Sequence, residues 1–457
     1  MLSSKIEKIK SSEAIKNVSK ITGGTMLGQI ISFIVVPIYT RLYGASIMGT
    51  WALFASIANI IVTFSDMGLK NAIMMEEDEK DTIELYTVIT TMTLMISGIA
   101  SLIVFIYYSI NPKEGGLKSW MIAIFVFVLA ITLQQTQTCY TWLNKKSDYS
   151  ILMKNPVVNN VSAAIIIILL GVLGFKSYGY YLGTMAGQII TLIHMRIHLP
   201  NRFLNFNYNS YKKVFKRQQH FIIYQLPANV LAQVKEQIPT FLINGFFGAE
   251  MLGYYSISMR YLKMPISLLA QSIGRVYYQT TSDMKRKGQS LLSIGQYSLK
   301  NISRAMKLAC IPMILIISVG DIACEILFGS GYSVAGDIMR IAAFNSFFLF
   351  IATATSGLVI VIDKQKYMLW CAIGQMAGYI FGISFGYYAY GSIYISCLAM
   401  TITFVLLQIV YFSFLFNATG VNWKTYVFNV FKQIIIIVLG AGVIRLGCFA
   451  IGIVQTM

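Results

Sequence analysis

The sequence predicts an all-α integral membrane protein with two pseudo-symmetric six-helix lobes around a central cavity, plus about one extra C-terminal helix. Three observations support this fold class: the composition, the sidedness of the basic residues and an internal sequence repeat. Of the 457 residues, 56% are hydrophobic and 12% are charged, and the mean hydropathy is +0.66. This charged share is about half that of a soluble domain, and the apolar runs of about 20 residues match the thickness of a bilayer.

The basic residues give the predicted spans an orientation. With the N-terminus placed in the cytoplasm, 27 of the 36 Lys and Arg lie on the cytoplasmic side and 5 on the outer side. This bias follows the positive-inside rule and indicates a multi-pass protein of a cytoplasmic membrane. The predicted segments are a cytoplasmic tail (1–19), an N-lobe of spans 1–6 (20–199), a basic cytoplasmic linker (200–219), a C-lobe of spans 7–12 (220–416) and a C-terminal membrane segment (417–457).

Several functional classes do not fit this sequence. The net charge of +18 would suit nucleic acid, but the basic residues lie in short loops between apolar runs, so we expect no nucleic-acid partner. The sequence has no GxxxxGK[ST], HExxH or GxSxG motif and no Cys/His cluster, and no outer loop is long enough for a catalytic domain. We therefore predict a transporter, not an enzyme, with no cofactor. Its energy would come from an H⁺ or Na⁺ gradient, a substrate gradient or a partner.

An internal repeat relates the two halves of the chain. The segment YGASIMGTWAL at 43–53 reappears as FGAEMLGYYSI at 247–257, so Gly44 corresponds to Gly248. The offset of 204 residues covers six predicted spans, and an even number of spans gives both copies the same orientation. The repeat axis is therefore expected to run along the membrane normal.

Polar residues follow helical spacing in the first, second, seventh and eighth predicted spans, and several coincide under the same offset. A polar stripe facing lipid is costly, so these faces are expected to meet protein or water. These polar residues can either line a cavity or form hydrogen bonds between packed helices, and the sequence leaves both roles open. The predicted lining residues are Thr25, Gln29, Ser56, Asn59, Thr63, Asn229, Gln233 and Ser267.

Two basic residues lie deep in the eighth predicted span. Arg260 is about 12 Å from its outer end and Lys263 is one turn deeper, near the middle of a ~30 Å core. Such charges need an anionic partner or a water-filled cavity, and Arg and Lys both suit a phosphate. Arg275 and Arg41 complete the predicted site for an anionic headgroup, although Arg275, at the cytoplasmic end of the stripe, is more easily explained by the positive-inside rule.

Two acidic residues are candidates for ion coupling. Asp66 and Glu236 each lie on a polar stripe and could bind a proton or a sodium ion. A salt bridge to Arg260 or Lys263 is the equally open alternative.

Recurring small residues predict close helix packing. Gly24/Gly28 and Gly183/Gly187 are single small-xxx-small pairs, and a longer series recurs every four residues. That series consists of Gly374, Gly378, Gly382 and Gly386.

Three motifs carry a resemblance to a known family. "PIYTRLYGASIMGTWALFASIANIIVTFSDMGLKNAIM" before residue 75, "INGFFGAEMLGYYSISMRYLKMP" at 243–265 and "LFGSGYSVAGDIMRIAAFNSFF" at 327–348 resemble polysaccharide biosynthesis flippases of the O-antigen repeat-unit type. These belong to the multidrug/oligosaccharidyl-lipid/polysaccharide exporter superfamily. Many members carry an acidic–basic pair where this chain has Pro239 and Thr240, and Glu236 lies one turn earlier.

The resemblance implies export of an undecaprenyl-pyrophosphate-linked oligosaccharide across the bacterial cytoplasmic (inner) membrane. It also implies a polysaccharide polymerase and a chain-length regulator as partners. A multidrug or cation antiporter of the same superfamily is the nearest alternative, and like charges on Arg260 and Lys263 disfavour it. A major-facilitator transporter is disfavoured because "GLKNAIMMEEDEKD" lacks that family's basic motif, and a membrane glycan polymerase because no large outer loop is present.

Overall fold

The structure is a computed structural model that describes residues 2–111, 117–175, 178–200 and 208–451, with side chains in these ranges except those of 2–20, 208–210 and 267. Nearly all described residues are helical and none lies in a strand, which confirms the all-α fold class. The chain divides into two compact units, Met1–Gln237 and Ile238–Met457. The boundary falls inside the predicted seventh span, and the pseudo-symmetric arrangement of two lobes around a cavity stays a prediction.

Within its described residues, the first unit contains six α-helices and the beginning of a seventh, with a 3₁₀-helix at Leu69–Met74 and a π-turn at Phe221–Gln225. They are α1 (Leu2–Asp66), α2 (Glu79–Ile110), α3 (Ser119–Lys145), α4 (Tyr149–Val172), α5 (Gly179–Arg196), α6 (Tyr208–Arg217) and the start of α7 (Leu226–Pro265). Residues 2–19, which the sequence assigned to a tail, belong to the same helix as the first span. The predicted linker contains α6, and its residues 201–207 lie outside the described ranges.

In the part of the second unit that the structure describes, 238–451, the rest of α7 is followed by seven further helices. They are α8 (Gln271–Arg286), α9 (Leu291–Phe328), α10 (Ser333–Ala354), the short α11 (Leu358–Val361), α12 (Gln365–Tyr390), α13 (Ile393–Ala418) and α14 (Trp423–Ala450). A single π-turn, Ile266–Ala270, joins α7 to α8. The C-terminal stretch forms one helix, α14, and not two short ones.

Helix length and composition identify the protein as a multi-pass integral membrane protein. Within the described ranges, nine helices are long and apolar enough to cross a bilayer. One of them, Ile21–Asp66, has 46 residues, enough for two spans, and it bends at Gly44. The helices α5, α7 and α8, which cover predicted spans 6–8, are not among the nine. Two of these, α7 and α8, carry Arg260, Lys263, Arg275 and Glu236 of the predicted sites.

The two repeat motifs have the same backbone conformation at their first glycine. Gly44 has φ 78° and ψ 169°, and Gly248 has φ 86° and ψ 178°. This region of backbone space is open only to glycine. A Cβ at either position would meet nothing within 4 Å, so the backbone angle, not crowding, requires glycine. The sequence repeat therefore corresponds to a repeated sharp bend, 204 residues apart.

Alanine at either bend is expected to destabilise the protein. Gly44→Ala and Gly248→Ala should each lower the free energy of unfolding by about 1–3 kcal/mol, because the new side chain forces a disfavoured backbone angle. The measurement is the thermal unfolding midpoint of the purified protein in detergent. Gly245→Ala is the matched control, because Gly245 also has open space around its Cβ position but an ordinary helical backbone. Equal midpoints for the three variants would contradict the assignment.

The predicted glycine-mediated helix contacts are confirmed. In the first unit, a Cβ on Gly28 would lie 2.8 Å from Cβ of Pro156 on α4, and one on Gly187 would lie 2.6 Å from Cβ of Ala163. In the second unit, a Cβ on Gly382 would lie 2.6 Å from the backbone nitrogen of Met400. These distances are too short for a side chain, so glycine allows α1 and α5 to pack on α4, and α12 on α13.

Candidate functional site

Three of the four predicted anion-binding cations lie on an exposed face of one continuous helix. Arg260 and Lys263 are exposed on the last turns of α7, and Arg275 is exposed on α8. Gln271 and Gln279 are exposed as well. In a helix that crosses a membrane, a charged face must meet water or protein, because hydrocarbon cannot solvate it. The three side chains therefore present the charge and the hydrogen-bond donors that an anion needs, and their role in binding a headgroup stays a prediction.

The opposite face of this helix is fixed by packing within the second unit. The Ser258 hydroxyl donates to the backbone carbonyl of Ala335 on α10 at 2.5 Å, and Tyr277 shares a 2.6 Å hydrogen bond with Ser298 on α9. A Cβ on Gly274 would meet the backbone carbonyl of Thr353 at 2.5 Å. These contacts hold the helix in one rotation about its axis, which sets the direction of the cationic face.

The polar residues predicted on α1 differ in exposure. Thr25, Gln29, Asn59 and Thr63 are half-buried, whereas Ser56 is buried. The hydroxyls of Thr25 and Thr63 donate to the carbonyls of Ile21 and Asn59, each at 2.9 Å along their own helix. Their donors are thus satisfied locally, and their oxygens still have capacity to accept.

The remaining predicted residues divide between the two units. Asn229 and Gln233 are half-buried on α7, and Arg41 is exposed near the Gly44 bend. The side chain of Ser267 lies outside the described residues, although its backbone belongs to the π-turn.

The two acidic candidates have different surroundings. Asp66 is 1% exposed, accepts a hydrogen bond from the backbone nitrogen of Gly68, and lies 3.4 Å from Nζ of Lys70. Lys70 also donates to Oε1 of Gln137 on α3 at 2.6 Å. The carboxylate of Asp66 therefore stabilises the turn after α1. Glu236 has a 52% exposed side chain, 4.0 Å from Nζ of Lys235.

The sequence matches a described family over the region that carries the repeat and the cationic face. Residues 38–337, about two thirds of the 457-residue chain, match the family of polysaccharide biosynthesis proteins. The chain belongs to this family. The match includes the exposed cations of α7 and α8 and both glycine bends, and it confirms the resemblance drawn from the three motifs. No curated protein matches the chain by sequence.

Solved structures place this family member in a known fold. A structure described as lipid II flippase MurJ, inward closed, has a TM-score of 0.69 at 11% identity, over 94% of this chain and 99% of that chain. An inward-facing multidrug resistance MATE transporter of the MOP superfamily gives 0.59 at 12%, over 88% and 94%. A MOP transporter from Pyrococcus furiosus gives 0.53 at 14%, over 89% and 96%. The fold is that of the MOP exporter superfamily.

A charged cluster in the second unit was missed by sequence reasoning. Arg445 on α14 forms a two-pronged ion pair with Asp321 on α9, at 2.9 Å for each prong, and donates to the carbonyl of Ser318 at 3.2 Å. Arg340 on α10 lies 3.6 Å from the same carboxylate and donates to Asp337 at 3.1 Å. The cluster connects α14 to α9 and α10. Arg445 lies more than 100 positions from Asp321, Asp337 and Arg340, so no local pattern reveals that it joins them.

A second missed feature is the docking of α6 onto the start of α2 within the first unit. Arg217 pairs with Asp81 at 2.7 Å and with Glu76 at 2.9 Å. Val214 is fully buried in the apolar core that also contains Tyr86 and Trp142. The acidic run EEDEKD at 76–81 and the basic run of α6 are both visible in the sequence, and their opposite charges were the available signal.

Proposed function

We propose that this family member is a flippase for a polyprenyl-pyrophosphate-linked oligosaccharide, such as an O-antigen or capsular repeat unit. It would move its substrate from the cytoplasmic to the outer leaflet of the bacterial cytoplasmic membrane. The exposed cationic face of α7 and α8 is the observation that carries this proposal. An intramembrane face with three basic side chains suits a substrate whose headgroup is strongly anionic.

The chemistry of the face fits a diphosphate attached to sugars. Arg260 and Arg275 can each bind phosphate oxygens with two parallel hydrogen bonds, and Lys263 adds a compact positive charge. Amides such as Gln271 can donate to and accept from sugar hydroxyls. The polyprenyl chain stays in lipid, so the protein has to solvate only the headgroup.

Family and fold support the same assignment. The family description is polysaccharide biosynthesis, and the solved structure with a TM-score of 0.69 is described as a lipid II flippase. We propose an undecaprenyl-pyrophosphate-linked substrate on this basis. A polysaccharide polymerase and a chain-length regulator would act on it after export.

We propose alternating access driven by an H⁺ or Na⁺ gradient. Glu236 is the better-placed coupling residue of the two candidates because its side chain is half exposed. The carboxylate of Asp66 is enclosed and is already bound by Lys70 and the backbone of Gly68. Protonation of Asp66 would first have to break those contacts.

The alternative is a multidrug exporter, and the similarity to a MATE transporter is the observation in its favour. Substrates of that class are commonly organic cations. Three exposed cations on one helix face would repel such a substrate, whereas they attract a diphosphate. The charge of the face therefore favours the flippase.

Deletion of the gene in its native host is expected to remove the repeat-unit glycan from the cell surface. Lipid-linked oligosaccharide should accumulate in the inner leaflet, because synthesis continues while export stops. The measurements are surface glycan by antibody or lectin binding, and the lipid-linked pool by mass spectrometry. A plasmid copy of the gene should restore both to the parental level.

A different outcome would identify the alternative. Unchanged surface glycan, together with increased sensitivity of the deletion strain to cationic dyes, would refute the flippase and favour the multidrug exporter.

A further inference from the structure

The π-turn Ile266–Ala270 lies within the cationic face, between Lys263 and Arg275. Its defining bond runs from the backbone nitrogen of Gln271 to the carbonyl of Ile266, five residues back in place of four. Such a turn is an α-helix with one additional residue inserted, and single π-turns of this kind are frequent at functional sites. The inserted residue changes which side chains share a face.

The phase of the helix shows what the insertion does. Each residue of a regular α-helix turns the chain by about 100°, so the twelve-residue step from Lys263 to Arg275 would separate them by about 120°. The π-turn absorbs one residue, which leaves eleven effective steps and a separation of about 20°. The π-turn therefore brings Arg275 onto the face of Lys263.

The buried face of the same helix gives an independent check. On a regular helix, two residues four positions apart differ in direction by about 40°. Five positions spaced in this way, from Ser258 to Gly274, would therefore spread over about 160° around the helix. With the π-turn, the same positions stay within about 80°. All of them are in fact buried, and so are the next two core positions: Ser258, Leu262, Ile266, Ala270, Gly274, Tyr277 and Thr281.

The exposed residues of this helix separate by polarity in the same frame. Between Arg260 and Gln279, the polar ones fall within a sector of about 80°. The apolar Leu269 and Val276 lie beyond one edge of this sector, and the exposed ring of Tyr278 lies about 20° beyond the other edge. The apolar sector suits lipid and the polar sector suits water. The exposed polar residues between Arg260 and Gln279 are Arg260, Lys263, Gln271, Arg275 and Gln279.

We propose that the π-turn aligns Arg260, Lys263 and Arg275 into one track for the diphosphate of the lipid-linked substrate. Arg275 is then its binding position at the predicted cytoplasmic end, not only a positive-inside flank. The track covers about 22 Å of helix, most of a ~30 Å hydrocarbon core. Gln271 lies between the outer pair and Arg275 and bridges the gap with an amide. This inference rests on the proposed flippase function.

Changes of length in the π-turn test the phasing. Deletion of Leu269 should convert the π-turn into an α-turn without rotating Arg275, so surface glycan should stay within about twofold of the wild type. Insertion of one alanine after Leu269 should rotate Arg275 by about 100° and abolish surface glycan. Leu269→Ala is the control, and membrane levels are matched by immunoblot. If the insertion exports normally, or if the deletion abolishes export, the phasing role is wrong.

Thiol labelling tests the water exposure of the track without relying on transport. In a background that lacks the six native cysteines, Gln271→Cys and Arg275→Cys should react with a charged thiol reagent. Leu269→Cys and Val276→Cys, in the apolar sector, should not. In the insertion variant, the cysteine at the former Arg275 position should lose its reactivity. Equal reactivity of the two sectors would overturn the assignment of faces.

Binding of geranyl diphosphate distinguishes a failure of the proposed flippase function from a failure of the track aligned by the π-turn. The purified wild type should bind this probe more tightly than geranyl monophosphate, and Arg275→Ala should weaken its binding by about tenfold. Val276→Ala, one residue away in the apolar sector, is the matched control. A wild type that does not bind the probe would contradict the proposed function. Normal binding by both the wild type and Arg275→Ala would contradict only the track.

Discussion

Replacement of Arg260 and Lys263 by alanine in one protein is expected to abolish glycan export while leaving membrane insertion intact. Both side chains are exposed on α7, on the face opposite its packed surface, so neither is needed to fill the core. A hydrogen bond to a charged group contributes about 1.5–3 kcal/mol. Loss of several such bonds to a diphosphate lowers binding by about a hundredfold or more. The measurement is surface glycan in the deletion strain that expresses each variant at equal membrane levels.

Single variants resolve the contribution of each charge. Arg260→Lys keeps the charge but loses the planar, two-pronged geometry, so it should export more than Arg260→Ala and less than the wild type. Lys287→Ala removes an exposed charge just after α8, away from the track, and should leave export unchanged. Full complementation by the double alanine variant would refute the role of the cationic face.

The sequence predicted the features that depend on local pattern. The repeat at Gly44 and Gly248 predicted equivalent positions, and both adopt the same glycine-only backbone angle. The four-residue glycine series on α12 predicted a close helix contact, which α13 provides. These predictions succeed because glycine has no side chain, so its presence alone indicates an unusual backbone angle or a close helix contact.

The phase of the cationic face could not be predicted from sequence. Spacings of eight and four residues, from Lys263 to Gln271 and on to Arg275, look like one stripe, although a regular helix would spread these residues over about 120°. Just after the π-turn that aligns them, Gly274 and Tyr277 pack against α10 and α9. These helices lie far along the chain, so no local pattern reveals the packing.

The repeat also does not fix the environment of a side chain. Ser56 corresponds to Arg260 under the 204-residue offset, yet Ser56 is buried and Arg260 is exposed. Residue type and local packing differ between the copies, so a shared position does not imply a shared surface. Likewise, Asp66 was considered as a partner of Arg260 or Lys263, and its ion-pair partner in the structure is Lys70.

The ion cluster around Asp321 gives the prediction with the largest effect on stability. The Asp321 carboxylate contacts two guanidinium groups, that of Arg445 at 2.9 Å and that of Arg340 at 3.6 Å. Asp321 lies about 10 Å from the end of α9, and its side chain is 17% exposed, against 10% for that of Arg445. Asp321→Ala leaves Arg445 buried without this carboxylate. We expect a loss of about 3–5 kcal/mol in the free energy of unfolding, seen as a lower thermal midpoint in detergent.

Replacement of both Asp321 and Arg445 should lower the stability of the protein less than replacement of Asp321 alone. The double variant Asp321→Leu/Arg445→Met replaces the ion pair by apolar side chains of similar size, and such replacements are often neutral or stabilising. Arg340 keeps its contact with Asp337 at 3.1 Å, so no guanidinium is left without a carboxylate. The double variant should therefore recover most of the midpoint lost by Asp321→Ala. If it unfolds at the same temperature as Asp321→Ala, the penalty comes from lost packing of α14 on α9 and not from an uncompensated charge.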